Sequence, residues 1–115
     1  REFQHDAERA IAKLQQVRGG EAPGALHHPE VGNIDLVWGK AGDPKRNFAN
    51  GYGLAHIAAK HPEVLQDLQG IIGELKVTSR TENRIQLEDS RHLAKVRLEW
   101  DGKAKQWLLT AFEKK

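Results

Sequence analysis

The chain has 115 residues, of which 38% are hydrophobic and 30% charged, and this is the profile of one globular domain with its own core. It has no cysteine, which excludes a disulfide framework, a cysteine-based zinc site and a thiol nucleophile. The formal net charge is only +2, so attraction to a nucleic acid would depend on a basic patch rather than on the total charge. No apolar run approaches the roughly 20 residues that span a bilayer, and no secretory signal is visible. Because Met is absent even at position 1, we expect the chain to be part of a longer protein.

Hydrophobic periodicity predicts helices in the first part of the chain. The predicted elements are, in order, a helix over 2–17, a loop over 19–24, a strand over 34–38, a loop over 41–53, a helix over 54–60 and a second helix over 62–68. Pro62 separates the last two helices. The residue before a proline disfavours the helical conformation, whereas proline itself suits the first turn of a helix.

From Glu74 onward the apolar period changes to two, which is typical of strands. The predicted strands cover 76–80, 84–88, 95–100 and 107–113, with a hairpin turn at Asp101-Gly102. This order predicts an α+β fold, in which N-terminal helices pack on one face of a twisted antiparallel sheet and leave the other face open.

The parity of the hairpin turn decides what the open face carries. A turn of two or four residues places Thr110 on the same face as Lys95 and Arg97, whereas a turn of three or five residues reverses this. The first arrangement gives a basic, hydroxyl-bearing surface that suits a phosphodiester. Tryptophans are more commonly core residues than base-stacking surfaces, so we predict core positions for Trp38, Trp100 and Trp107.

Two histidines flank the end of the helix predicted over 54–60. His56 shares a helical face with Lys60, one turn later. His61 would point about 140° away from His56 in a continuous helix, so the pair lacks the spacing of helical zinc motifs. The two side chains can point the same way only if the helix breaks before Pro62.

A histidine that exchanges a proton near neutral pH suits RNA cleavage, because RNA supplies its own nucleophile, the 2′-hydroxyl. His56 can act as base or acid, and Thr110 can hold the phosphate by a hydrogen bond. Candidate cations for the developing charge are Arg80, Arg84, Lys60 and Arg97, and the reaction needs no metal or other cofactor. The same residues also have structural explanations: a histidine beside apolar residues is commonly a structural residue, and a threonine suits strand packing.

Four sequence motifs occur in a fixed order along residues 30–113. They are IDLVWG at 34–39, GLAHI through KHP at 53–62, VRLEWDG at 96–102 and WLLTAFE at 107–113. Together they resemble the phage-associated barnase-type endonuclease domains of the barnase, EndoU, colicin and RelE-like ribonuclease superfamily. Similar domains form the C-terminal ends of polymorphic bacterial toxins, including contact-dependent growth inhibition effectors.

The resemblance implies a metal-independent, barnase-like endoribonuclease toxin that cuts RNA, often tRNA, and is neutralised by a cognate immunity protein. We predict one nuclease domain over 1–115, with a helical lead-in over 1–29 and a catalytic core over 30–113, the part that the resemblance covers. The motif histidines correspond to His56 and His61, and the strand hydroxyl to Thr110. The favoured cationic partners are, in order, Arg84, Arg80 and Lys60, and the substrate-binding residues are Lys95 and Arg97.

The barnase-style glutamate base has no counterpart in this sequence, so the group that removes the 2′-proton stays open. We expect a monomer that is secreted or delivered from a cell surface and acts in the cytoplasm of a target cell. Two alternative functions are a non-catalytic RNA-binding module on the same sheet face and a metal-dependent DNase that uses Asp35, His56 and His61.

Overall fold

A computed structural model describes residues 6–46 and 50–114. The helices and strands of these residues are, in chain order, α1 (Ala7–Val17), β1 (Glu21–His28), β2 (Gly32–Val37), α2 (Gly53–Lys60), α3 (Leu68–Glu74), β3 (Lys76–Arg80), β4 (Arg84–Glu88), β5 (His92–Trp100) and β6 (Lys103–Glu113). Short 3₁₀ helices cover Pro44–Arg46 and Pro62–Asp67. Residues 2–5 of the first predicted helix and 47–49 of the second predicted loop lie outside the described residues.

The described strands form one open sheet in the order β1-β2-β6-β5-β4-β3. Neighbouring strands are antiparallel except β2 and β6, which are parallel and meet at a single bridge between Asp35 and Trp107. The helices pack with the sheet around one hydrophobic core, which confirms the α+β prediction. None of the helices in the described ranges is long and apolar enough to cross a membrane.

Helix α1 shows how local sequence produces this layering. Its buried residues, at positions 7, 10, 11 and 14, recur at the helical period and so form one apolar stripe toward the core. Asp6 caps the helix, because its carboxylate accepts a hydrogen bond from the Arg9 backbone N–H at 3.2 Å. Arg18 ends the helix in the left-handed conformation, with φ at 58°.

Strand β1 is the main difference from the predicted secondary structure. The loop predicted over 19–24 and the helical lead-in predicted over 1–29 are both wrong for residues 21–28, which pair with β2. A shift of register between Ala22 and Leu26 interrupts the alternation, so the segment carries no clear strand period. Its Pro and Gly are tolerated because β1 lies at the edge of the sheet.

The β5–β6 hairpin sets the composition of the open face, meaning the side of the sheet away from the core. Trp100 pairs with Lys103 across a two-residue turn, and two register shifts follow along the hairpin. Each shift reverses which side a residue faces, so the two cancel. Thr110 therefore lies opposite Lys95 on the open face, as predicted from a two-residue turn.

Candidate functional site

Helix α2 places His56 beside β6. The Ala55 N–H donates to the Trp38 carbonyl at 2.7 Å, which attaches the first turn of α2 to the chain just after β2. Leu54 and Ile57 are fully buried in the core, and α2 packs mainly against β6. His56 lies between these two core residues in the sequence and is only partly buried.

The helix breaks at His61, and the break brings two imidazole rings together. His61 has non-helical dihedral angles (φ −131°, ψ 51°), and its N–H donates to the Ile57 carbonyl at 2.7 Å. The ring centroids of His56 and His61 lie 5.7 Å apart, edge to face. His61 also contacts the ring of Phe112 at 5.1 Å, and Phe112 lies on β6 two residues after Thr110. The helix thus breaks before Pro62, which is the condition under which the two histidine side chains can point the same way.

The ring of His56 has a defined orientation. Its Nδ1 lies 3.1 Å from the Ala41 carbonyl oxygen. A carbonyl only accepts hydrogen bonds, so Nδ1 carries the proton and Nε2 of the neutral ring is left as the acceptor. A Cβ at Gly51 would lie 2.3 Å from that Nδ1 and 2.2 Å from the Ala41 oxygen, so only glycine fits there. The loop before α2 therefore holds the ring in place.

Two arginines lie directly opposite each other on the open face. Arg84 of β4 pairs with Arg97 of β5, and we call them the arginine pair. Like charges in this arrangement destabilise a sheet. The carboxylate nearest Arg97 is that of Glu99, with Nη2 and Oε1 3.9 Å apart, and the buried Arg97 Nε has no hydrogen-bond partner within the described ranges. Among the described residues the arginine pair thus has one ion pair within 4 Å, and the Glu99 and Asp101 carboxylates line the same pocket, described below.

The Thr110 hydroxyl is a second polar group with an unmet hydrogen bond. Its Oγ1 is buried and has no partner among residues 6–46 and 50–114. An unpaired buried hydroxyl costs about 1–3 kcal/mol, so ordinary strand packing does not account well for this threonine. Neighbouring side chains cover the oxygen, so contact with a ligand requires one of them to move.

An aromatic pocket of about 610 Å³ lies at the arginine pair. Its lining includes the arginine pair, Gly51 and three aromatic residues that we call the aromatic cluster: Tyr52, Trp100 and Trp107. Trp107 is 5% exposed and lies on the open face opposite Arg97, outside the main core. Trp100 is 38% exposed, so its predicted core position is wrong.

Tyr52 was not predicted as a site residue. Its backbone pairs with Lys40 in an isolated antiparallel bridge, which fixes the loop over the pocket. The available signal was the single tyrosine of the chain standing between two glycines directly before the His56 helix. Trp38, by contrast, is partly buried against the core, in line with the prediction.

Arg80 is not brought to the open face. The first pairs of β3 with β4, including Val77 with Leu87, would continue to an Arg80–Arg84 pair. A register shift between Val77 and Ser79 instead places Arg80 opposite Ile85, whose side chain is buried on the core side. The prediction that both arginines serve one site is therefore corrected: only Arg84 lines the pocket.

The two predicted lysines lie near the site but outside the pocket lining. Lys60 is the last residue of α2, one turn after His56. Lys95 pairs with Thr110 and so stands beside the buried hydroxyl on the open face.

Lys105 is a further cation of the open face and lies near β1 and β2. Its Nζ donates to Glu21 and to Asp35, each at 2.7 Å. Burial alone lowers the pKa of Lys105, but the hydrogen bonds and charges of the two carboxylates outweigh it and raise the pKa above its ordinary value. Asp35 is therefore engaged in an ion pair, and the described residues hold no group of three or more potential metal ligands.

Two carboxylates at the end of β4, those of Glu88 and Asp89, also have hydrogen-bond partners within the protein. Lys114 donates to Glu88 at 2.6 Å, and this hydrogen bond lowers the pKa of Glu88. The backbone N–H groups of Arg91 and His92 donate to Asp89 and lower the pKa of that carboxyl. Neither group is placed to serve the histidines as a free base.

One of three comparisons with known proteins identifies the family. The family model described as phage-Barnase-EndoU-ColicinE5/D-RelE like nuclease1 matches residues 25–115. The chain belongs to this nuclease family, and its substrate is accordingly a nucleic acid. Comparison with curated proteins and with solved structures gave no significant match.

Proposed function

We propose that this nuclease domain is a metal-independent endoribonuclease that cleaves RNA by attack of the 2′-hydroxyl on the neighbouring phosphate. The observation that carries the proposal is the contact of His56 and His61, whose ring centroids lie 5.7 Å apart, next to Gly51, which lines the same pocket as the arginine pair. Two imidazoles supply both proton transfers of the reaction, and two guanidinium groups supply charge stabilisation. The absence of a glutamate base is then no obstacle, since a histidine takes its place.

The orientation of His56 suggests how the two roles are divided. With Nδ1 donating to Ala41, Nε2 of the neutral ring accepts the proton of the 2′-hydroxyl. The 2′-oxygen then attacks phosphorus, and the bond from phosphorus to the 5′-oxygen breaks. His61 donates a proton to that leaving oxygen. The products are a 2′,3′-cyclic phosphate and a free 5′-hydroxyl. The proton taken from the 2′-hydroxyl by one histidine is matched by the proton that the other gives to the 5′-oxygen.

The remaining site residues bind and stabilise the phosphate. The arginine pair stabilises the negative charge that develops on the phosphorane oxygens, an effect worth about 10²–10³-fold for a single donor. Lys95 holds the phosphate electrostatically, and Lys60 adds positive charge behind His56. Thr110 donates its hydroxyl to a phosphate oxygen once a covering side chain moves aside, which relieves its unmet hydrogen bond.

The test is cleavage of total tRNA by the purified domain in the presence of a chelator. Wild type should produce fragments that end in 2′,3′-cyclic phosphate. His56→Ala and His61→Ala should each reduce the rate by about 10²–10⁴-fold, the usual worth of a general acid or base. His27→Ala is the matched control, because His27 is an exposed histidine on β1, and it should retain the wild-type rate.

The other outcomes separate the competing functions. Full activity in His56→Ala would overturn the assignment of the base. Salt-dependent RNA binding without any cleavage would support a non-catalytic RNA-binding module. Cleavage of DNA that chelator abolishes would support the metal-dependent DNase.

We further propose that the RNA substrate is tRNA and that the domain acts as a monomeric toxin, exported as the C-terminal part of a larger protein. It would act in the cytoplasm of a target cell and be neutralised by a cognate immunity protein. The motif resemblance described above supports these proposals. Expression in a susceptible bacterium, followed by sequencing of RNA ends, should show growth arrest with cuts concentrated in tRNA; cuts elsewhere would overturn the tRNA assignment.

A further inference from the structure

The proposed cleavage chemistry does not use the aromatic cluster. Its three ring pairs meet edge to face, with centroid distances of 5.9, 5.9 and 4.8 Å and interplanar angles of 62°, 74° and 80°. Since no pair is stacked in parallel, the rings do not cover one another completely. A planar ligand that enters the pocket can therefore meet the face of a ring.

The cluster combines a fixed ring with an exposed one. Trp107 is almost fully buried, and its Nε1 donates to the Glu99 carbonyl at 3.0 Å, which holds the ring in one orientation. Trp100 is 38% exposed and stands at the end of β5. Exposed large hydrophobic side chains beside a pocket are typical of a binding site.

The arginine pair lines the same pocket as the aromatic cluster. A phosphate held by the arginines would place the adjoining nucleotide within reach of the aromatic rings. Aromatic side chains beside cationic groups are the combination by which proteins bind single-stranded nucleic acids, because every base has a face that can stack. The pocket thus offers recognition for two parts of one nucleotide.

We propose that the aromatic cluster is a nucleobase subsite that holds an unpaired base next to the scissile phosphate, with Trp100 providing the stacking face. The inference rests on the proposed function, because it takes RNA as the substrate. A base inside a duplex has both faces covered by its neighbours and cannot stack on Trp100. The substrate is therefore single-stranded RNA or the loop of a folded RNA.

The test measures binding of a single-stranded 2′-O-methyl RNA oligonucleotide, which lacks a free 2′-hydroxyl and is not cleaved by the proposed reaction. Trp100→Ala should weaken binding about tenfold or more, while Trp100→Phe should retain most of the affinity. Val17→Ala is the control, since Val17 is the other exposed large hydrophobic residue of the described chain and does not line the pocket. It should bind as wild type does.

Two further probes isolate the base from the backbone. An oligonucleotide with abasic sites and a duplex of the same sequence should both bind wild type more weakly than the single strand does. Equal affinity for the abasic oligonucleotide would overturn the subsite even if Trp100→Ala failed to fold. Wild-type affinity in a folded Trp100→Ala protein would overturn it as well.

Cleavage of unmodified RNA, measured alongside, separates the two proposals. Binding that depends on Trp100 without any RNA cleavage would overturn the endoribonuclease and support the subsite. Cleavage together with binding that is independent of Trp100 would overturn the subsite alone.

Discussion

The open face has two charged regions that differ in how their cations are satisfied. Lys105 is held by two carboxylates at 2.7 Å, and its side chain is only 17% exposed. The arginine pair has one carboxylate at 3.9 Å and a buried Nε without a partner in the described residues. In the first region the cation is fully paired within the protein, whereas in the second the buried Arg97 Nε keeps an unmet hydrogen bond among the described residues.

Under the proposed function, this difference separates structural charge from functional charge. Lys105 joins β1, β2 and β6 where the sheet is weakest, since β2 and β6 share a single bridge at Asp35. The arginine pair joins two strands that already pair through five successive residue positions. Removing Lys105 should therefore affect stability, and removing an arginine should affect activity.

The largest expected effect is on catalysis by the arginine pair. Arg97→Ala and Arg84→Ala should each lower kcat/KM for RNA by about 10²-fold, because each removes a donor to the developing charge. The thermal midpoints should change little. Arg80→Ala is the matched control: Arg80 follows the register shift of β3 to the other face and should retain the wild-type rate. Equal losses in Arg80→Ala and Arg84→Ala would contradict the register described for β3.

The next effect is on stability. Lys105→Met should lower the free energy of unfolding by about 1–3 kcal/mol, because it leaves the partly buried Asp35 carboxylate, and the exposed Glu21 carboxylate, without their cation. Urea unfolding measures this change. Lys103→Met provides the comparison, since Lys103 is an exposed lysine on the same strand, and it should change stability by less than about 0.5 kcal/mol. Nuclease activity of folded Lys105→Met should stay close to wild type.

The sequence predicted most of the helical and strand content where one period continued without interruption. The stripe of α1, the short α2 and the β5–β6 hairpin each have a regular apolar pattern or a specific turn signal. β1 has neither, because Pro23 and Gly24 interrupt it and a register shift breaks its alternation. Its pairing with β2 is a long-range consequence of core formation, which local propensity does not encode.

The candidate site was partly predictable for a similar reason. Pro62 made the break at His61 foreseeable, and hence the meeting of the two histidines. The register shift in β3 was not foreseeable, and it moved Arg80 to the other face. Tyr52 reaches Trp100 and Trp107 from a distant loop, so the aromatic cluster forms only in the folded chain.

The pH dependence of stability should distinguish the two regions further. The folded-state pKa of Lys105 is raised, so its contribution is fully present below the unfolded pKa of about 10.5 and is lost as pH rises through the folded value. Above neutral pH, wild type should therefore keep its stability advantage over Lys105→Met until the solution is strongly alkaline. Urea unfolding of both proteins between neutral and alkaline pH tests this. An advantage that disappeared already near neutral pH would show that the ion pairs are not its source.

The smallest effect is expected from relieving the repulsion within the arginine pair. Arg84→Gln removes one of two like charges that face each other across β4 and β5. Such a pair lowers the stability of the sheet by about 0.2–1 kcal/mol. The variant should be slightly more stable than wild type, by about 0.2–0.5 kcal/mol, while it cleaves RNA more slowly. The stability gain should shrink in high salt, which screens exposed charges. A stability loss in Arg84→Gln would mean that this arginine, like Lys105, is held by partners within the protein, and the contrast between the two regions would fail.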